Sequence, residues 1–141
     1  MNKYNSEHYP DPTVYEALTN MERATRIHSF RPLVFICSPY TGNIKRNVHR
    51  AQEYSRFAVS QNTIPIAPHL LFPQFLDDGD SDQRSLGIFM GLVLMGKCHE
   101  VWVFGTQITR GMALEIEKAR ERGKPIRYFS DQCEEGQPCA K

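Results

Sequence analysis

Short apolar runs alternate with segments of helical periodicity along this chain, and few folds accommodate that order of elements. Residues 33–37 (LVFIC) and 101–104 (VWVF) are apolar at consecutive positions, which is typical of strands covered on both faces of a parallel sheet. The predicted elements are strands at 33–37, 64–67, 101–104 and 125–129 and helices at 43–61, 84–97 and 110–122. The alternation predicts a single α/β domain, flavodoxin-like or Rossmann-like. We expect a parallel sheet of four or five strands, with helices on both faces and the strand at 33–37 in a central position.

The 141 residues are enough for one domain with its own core, and the sequence divides into three parts. Residues 1–30 are predicted to form a peripheral arm, with an amphipathic helix after Pro12, because apolar residues recur there at helical spacing. Residues 31–130 are predicted to form the α/β domain. Residues 131–141 contain Gly, Pro and several polar groups, which predicts a flexible tail.

Charge and cysteine content exclude several classes of function. The net charge is +1 and the basic residues are scattered, so neither a nucleic acid nor an anionic membrane is an expected partner. The four cysteines have neither metal-ligand nor paired spacing, and Cys37 and Cys98 are expected to be small buried residues. The apolar stretch 86–95 is about ten residues long, too short to span a bilayer, and the chain starts without a signal peptide. These features predict a soluble cytoplasmic protein that needs no metal.

Glu115 is the one acidic residue of the predicted helix 110–122 that should point toward the protein. The inward stripe of this helix consists of Met112, Ile116 and Ala119. At 3.6 residues per turn, Glu115 lies about 60° from the centre of that stripe, whereas the other acids of the helix fall on the opposite side. The helix follows strand 101–104, so Glu115 is near the carboxyl end of a strand, where open α/β sheets bind ligands. The alternatives are a carboxylate that complements the helix dipole or a partner of Lys118.

Two polar segments are further candidates for a site. The first strand breaks into Ser38-Pro39-Tyr40-Thr41-Gly42-Asn43, and a helix start with small residues and nearby cations is a natural anion site. The loop has neither the Walker nor the dinucleotide-binding pattern of glycines. The acidic run 77–82 could bind a hard cation. It lacks the spacing of a calcium loop, which favours a solvated, mobile loop that acts as a lid.

Together these segments resemble the nucleoside 2-deoxyribosyltransferase-like superfamily over about residues 33–129. The resemblance rests on Ser38-Pro39-Tyr40, on Pro68-His69 after the second strand, on Arg84 before the apolar helix, and on Gly111-x-x-x-Glu115 with Ala119 and Gly123-Lys124-Pro125. The chain is most similar to the uncharacterised short bacterial and phage members, which share the Cys/Ser-Pro-Tyr loop and the Gly-Met-x-x-Glu-Ile helix.

This resemblance implies an enzyme that cleaves an N-glycosidic bond or transfers a deoxyribosyl group. In such a reaction a glutamate attacks C1' of the sugar and expels the base, and water or a second base then releases the sugar. The implied catalytic residues are Glu115, Tyr40 and Arg84. The implied substrate-binding residues are Ser38, Pro39, Gly42, Asn43, His69, Arg110, Gly111 and Met112. The resemblance also implies a nucleoside or nucleotide as small-molecule partner, no cofactor, and a homo-oligomer whose subunits complete each other's pockets.

One departure from the family pattern weakens the catalytic interpretation. Active relatives carry an Asp in the helix before the third strand, whereas the stretch 86–95 of this chain has no carboxylate. Asp82 and His69 are candidates to replace it, and Arg84 is alternatively an ion-pair partner of Glu115 or of the acidic run. The alternative function is therefore a non-catalytic nucleotide or nucleotide-sugar binding module. A third hypothesis is an interaction domain that uses the apolar helix.

Overall fold

A computed structural model describes residues 12–27 and 30–136 of the chain. The contacts between residues define two compact units, and the boundary between them falls between Arg31 and Pro32. The first unit contains a helix, α1 (Pro12–Ile27), in the place where the apolar spacing predicted one. The second unit contains the sheet, and it positions every residue of the candidate site.

The second unit is a five-stranded sheet with helices on both faces, which confirms the predicted α/β class. Its elements are β1 (Leu33–Cys37), α2 (Ile44–Ser60), β2 (Ile64–Ile66), α3 (Pro68–Leu71), a 3-10 turn (Phe72–Gln74), α4 (Ser81–Lys97), β3 (Glu100–Phe104), α5 (Arg110–Glu121), β4 (Ile126–Phe129) and β5 (Glu135–Gly136). The strand order is β2-β1-β3-β4-β5. The first four strands are parallel and β5 is antiparallel to β4. β1 is an interior strand as expected, although β3 occupies the middle of the sheet.

Side chains alternate along β1 between two hydrophobic clusters, one on each face of the sheet. Val34 and Ile36 pack with α2, whereas Phe35 and Cys37 pack with α4 and α5. Because Cys37 is the last residue of β1, its thiol lies beneath the start of α5, on the face that carries Glu115. The continuous apolar run at residues 33–37 therefore forms a strand that is buried on both faces of the sheet, as predicted.

The acidic run is more ordered than a mobile loop. Asp80 caps α4, because its side chain accepts a hydrogen bond from the backbone N–H of Asp82 at 3.1 Å. This cap starts the helix at Ser81, three residues earlier than predicted. The backbone N–H of Asp77 donates to the Gln83 side chain at 2.7 Å, which fixes the start of the run as well. The segment between Pro68 and Gln74, expected to be a loop, forms α3 and the 3-10 turn, with Pro68 at the first helical position.

The predicted flexible tail begins with ordered structure. Residues 131–134 form a turn that leads into β5, and the Glu135 carboxylate accepts two hydrogen bonds from the Arg127 guanidinium at 2.8 and 2.7 Å. This fork-like contact spans β4 and β5 and supports a strand of only two residues. The remainder of the predicted tail, from residue 137 onward, lies outside the described residues.

The order of the strands creates a crevice between β1 and β3. From β1 the chain continues through α2 to β2 on one side, and it later returns to β3 on the other side of β1. The loops that follow β1 and β3 therefore diverge to opposite faces of the sheet at the carboxyl ends of neighbouring strands. Such a topological switch point is where open α/β sheets bind their ligands.

Candidate functional site

A cavity of about 180 Å³ opens beside the carboxyl end of β1, and it gathers most of the predicted site residues. Its walls come from the loop after β1, from α3 and the 3-10 turn, from α4 and from the start of α5. The predicted residues that line it are Ser38, Tyr40, His69, Arg84, Gly111, Met112 and Glu115. The apolar part of its wall consists of Pro68, Phe72, Pro73, Leu76, Ile88, Gly87 and Gly91. We call this space the first cavity.

Four predicted substrate-binding residues do not line the first cavity. Pro39 and Asn43 line a second cavity, described below, and Asn43 also caps α2 by accepting a hydrogen bond from the backbone N–H of Arg46 at 3.2 Å. Gly42 and Arg110 line neither cavity. Gly42 has a φ of +100°, so its role is to let the chain turn into α2. Arg110 is the first residue of α5 and is exposed to solvent.

Glu115 projects from the second turn of α5 into the first cavity, as the helix geometry predicted. Met112, Ile116 and Ala119 are buried, which confirms the inward stripe. The Oε1 atom of Glu115 is buried and has no hydrogen-bond partner among the described residues. Burial raises the pKa of Glu115 from 4.5 to about 7, and a hydrogen bond from the Cys37 thiol offsets only part of this rise. The carboxylate therefore titrates close to neutral pH.

Glu115 neither caps α5 nor pairs with Lys118. The cap of α5 is Thr109, whose hydroxyl oxygen accepts a hydrogen bond from the backbone N–H of Met112 at 3.2 Å. Lys118 pairs with Glu121 at 3.5 Å rather than with Glu115. A buried carboxylate with an unpartnered oxygen is energetically costly, and such groups concentrate at functional sites.

Cys37 is buried as predicted, and it also contacts the candidate carboxylate. Its Sγ atom lies 3.8 Å from the carbonyl oxygen of Met112, one helical turn before Glu115. Burial, together with the neighbouring Glu115 charge, raises the pKa of Cys37 well above its usual value, so the group is a neutral thiol. A neutral thiol beside the Glu115 carboxyl adds no charge of its own to the site. Nothing in the apolar pattern of β1 distinguishes Cys37 from an ordinary core residue.

Tyr40 and His69 form one wall of the first cavity. Their rings stack with centroids 5.0 Å apart, and the Nε2 atom of His69 lies 3.2 Å from the carbonyl oxygen of Ser38. Burial lowers the pKa of His69, so the ring is neutral at pH 7. Because a carbonyl oxygen only accepts, Nε2 carries the hydrogen and Nδ1 is a hydrogen-bond acceptor. The hydroxyl of the adjacent Ser38 is buried and has no partner among the described residues.

Asp78 also lines the first cavity, and the sequence did not single it out. Burial raises the pKa of Tyr40, and the negative charge of Asp78 raises it further, so the carboxylate is close to this ring. Asp82, which was the sequence-based candidate for a second carboxylate, does not line the cavity. Arg84 does line it. In the described part of the chain, Arg84 forms no ion pair with Glu115 or with the acidic run.

A second cavity, of about 400 Å³, lies between the loops that follow β1 and β3. Its lining is mostly polar and consists of Pro39, Thr41, Asn43, Arg46, Asn47, Arg50, Tyr54, Gly105, Thr106, Gln107, Thr109 and Asp131. Thr41 and Thr109 line both cavities, so the two spaces meet at these threonines. The side chain of Asn47 donates to the carbonyl oxygens of Tyr40 and Thr41, both at 3.0 Å, which holds the loop between the cavities in place.

The described residues contain no cluster of three or more His, Cys, Asp or Glu side chains that could hold a metal ion. Within the same part of the chain, no helix combines the length and the apolar character that crossing a bilayer requires.

Fold and cleft together define a small α/β domain with ligand-sized cavities at a topological switch point. Residues 32–129 match the model of the family described as "Domain of unknown function (DUF7768)", so the chain belongs to this family. A comparison with curated protein sequences finds no match. Among solved structures, the chain is similar to a 2-deoxyribosyltransferase from Bacillus psychrosaccharolyticus, with a TM-score of 0.55 and 18% identity, over 70% of this chain and 72% of that one. This likeness shows that the two proteins share a fold.

Proposed function

We propose that the protein cleaves the N-glycosidic bond of a nucleoside or nucleotide, or transfers its deoxyribosyl group, with Glu115 as the nucleophile. The observation that carries the proposal is that Glu115, a buried carboxylate with one unpartnered oxygen, lines the first cavity. The fold shared with a 2-deoxyribosyltransferase supports it. The resemblance of the Gly111-x-x-x-Glu115 motif to the corresponding superfamily supports it as well.

The residues around Glu115 suit each part of such a reaction. A carboxylate oxygen of Glu115 attacks C1' of the sugar, the bond between C1' and the base nitrogen breaks, and the electron pair of that bond leaves with the base. Tyr40 and Arg84 position the sugar and the carboxylate. The Ser38 hydroxyl and Nδ1 of His69 offer polar contacts to the sugar hydroxyls, and the apolar wall covers the base. Water or a second base then attacks C1' and regenerates the Glu115 carboxylate.

Asp78 is our candidate for the carboxylate that contacts the leaving base. It lies on the rim of the first cavity, where it can accept a hydrogen bond from an N–H of the base and relay a proton from solvent. Replacing Asp78 by Asn should lower the rate of base release about tenfold or more, because the amide oxygen still accepts the hydrogen bond but has neither the negative charge nor the ability to carry a proton. Asp82→Asn is the matched control, because Asp82 is an exposed acid of the same segment outside the cavity. Equal effects of the two substitutions on base release would contradict this role.

The alternative function is a binding module that holds a nucleotide or nucleotide sugar without reacting. The absence of a carboxylate from the 86–95 stretch of α4 favours this alternative. Incubation with a panel of deoxynucleosides and their 5'-monophosphates, followed by chromatography for free base, distinguishes the two functions. Release of base from any member supports the enzyme. Binding of a panel member without release of base supports the module.

We also propose that the protein is a homo-oligomer assembled through α4. Leu86, Phe89 and Val93 recur on one face of this helix and are 47%, 62% and 44% exposed, which is unusual for a run of large apolar side chains. Light scattering at micromolar concentration should therefore give at least the mass of a dimer. Phe89→Glu should shift the protein to the monomer, whereas Ile44→Glu, at a 45% exposed position on α2, should not. A monomeric wild type would refute the assembly.

The proposed reaction requires no metal, cofactor, membrane or nucleic acid, and we expect the protein to be cytoplasmic. The domain at residues 31–130 would contain every catalytic group that it uses.

A further inference from the structure

The second cavity carries a net positive charge that the proposed reaction at Glu115 does not use. Arg46 and Arg50 are one helical turn apart on α2, so both guanidinium groups reach the same side of the helix. Among the described residues of the lining, Asp131 is the only carboxylate, and its Oδ2 lies 3.2 Å from Nη1 of Arg50. The two guanidinium groups and the one carboxylate together give this lining a net charge of +1. Arg46 is in the first turn of α2, where the helix dipole adds to it.

The neutral part of the lining suits an oxyanion. Hydroxyl and amide groups come from both loops at the switch point, from Thr41 and Thr109 and from Gln107. A guanidinium group with hydroxyl and amide donors is the donor set that recognises a phosphate monoester. The first cavity has the opposite balance of charge, because its described lining contains two acids, Glu115 and Asp78, and one permanent cation, Arg84. A phosphate would therefore bind more favourably in the second cavity than beside Glu115.

The two cavities are neighbours and differ in character. Thr41 and Thr109 line both of them, so one ligand of nucleotide size has only these side chains between the two spaces. Apolar side chains and the stacked rings of Tyr40 and His69 concentrate in the first cavity, whereas two arginines, Arg46 and Arg50, line the second.

We propose that the second cavity binds the phosphate of a nucleoside 5'-monophosphate, with Arg46 as its principal cation and with the glycosidic bond of the same molecule in the first cavity. The assignment of the phosphate to the second cavity stands on the charges and donors described above. The placement of the glycosidic bond rests on the proposed function. The preferred substrates are therefore monophosphates rather than unphosphorylated nucleosides.

Calorimetric titration tests this assignment without relying on turnover. The probes are inorganic phosphate, the four common deoxynucleoside 5'-monophosphates and the corresponding deoxynucleosides. At least one monophosphate should bind the wild type about tenfold or more tightly than its nucleoside, as expected for one charge-assisted contact. Arg46→Gln should remove about tenfold of the affinity for the monophosphate and leave the affinity for the nucleoside within twofold. Lys45→Gln is the matched control, because Lys45 is an exposed cation of the same helical turn that lines neither cavity.

Asp131→Asn provides a second variant with an effect of opposite sign. It removes the anion that competes for Arg50, so monophosphate affinity should rise several-fold. Inorganic phosphate should compete with the monophosphate and not with the nucleoside. Equal binding of monophosphate and nucleoside, equal losses in Arg46→Gln and Lys45→Gln, or no binding of any phosphorylated probe would overturn the assignment. If the probes bind in the predicted pattern but no substrate releases its base, the proposed function is wrong. The assignment of the phosphate site would still hold.

Discussion

Replacing Glu115 by Gln is expected to lower the rate of base release by on the order of 10³-fold or more, because an amide cannot form the glycosyl-enzyme. The side chain keeps its shape and volume, so binding of the substrate should persist. The measurement is the initial rate of base release, with ligand affinity determined separately by calorimetry. A folded variant that binds but does not release base is the result that identifies a nucleophile.

Glu117→Gln is the matched control for this experiment. Glu117 lies on the same helix, is exposed and lines neither cavity, so the same chemical change should leave the rate within about twofold. In the wild type, base release should rise with pH and level off above about 7, because only the ionised carboxylate attacks and burial raises the pKa of Glu115 to about 7. A Glu115→Gln variant that retains more than a tenth of the wild-type rate would exclude the nucleophilic role.

Local periodicity was sufficient to predict the sheet and the orientation of Glu115. The apolar runs of β1 and β3 are buried on both faces, and Met112, Ile116 and Ala119 are buried where the helix geometry placed them. These predictions succeed because burial of a helix stripe or of a strand depends on residues within one element. The position of the cleft depends on the strand order, which the structure supplies, since the loops after β1 and β3 leave neighbouring strands at the same edge.

Features that depend on contacts between distant segments could not be predicted in the same way. The acidic run offers several carboxylates, and only the cap at Asp80 and the path of the chain around it decide that Asp78 reaches the cavity. Cys37 looks like any apolar strand residue until α5 brings Glu115 over it. The strand β5 depends on an ion pair between Arg127 and Glu135, which a pattern of polar residues does not distinguish from a solvated tail.

Glu115 should also destabilise the folded protein above neutral pH, and its replacement by Gln should reveal this. The pKa of Glu115 is about 7 in the folded protein and 4.5 in an exposed reference. Between pH 4.5 and pH 7, the folded state therefore holds a proton that the unfolded state has lost. Stability therefore falls as the pH rises from about 4.5 to about 7, by roughly 3 kcal/mol at 1.36 kcal/mol per pKa unit. Below pH 4.5 both states are protonated and the penalty is absent.

Chemical denaturation of the wild type and of Glu115→Gln at pH 5 and pH 8 measures this penalty. The neutral amide does not titrate, so the variant should be more stable than the wild type by roughly 3 kcal/mol at pH 8 and by only about 1 kcal/mol at pH 5. The comparison removes the contribution of His69, because this group is present in both proteins and Glu115 is not among the causes of its pKa shift. Glu117→Gln, at an exposed position, should show no such dependence on pH. A Glu115→Gln variant that is less stable than the wild type at pH 8 would mean that the ionised carboxylate has a compensating partner. In that case Glu115 would be a structural residue, because a nucleophile held in an apolar cavity decreases stability at the pH where it reacts.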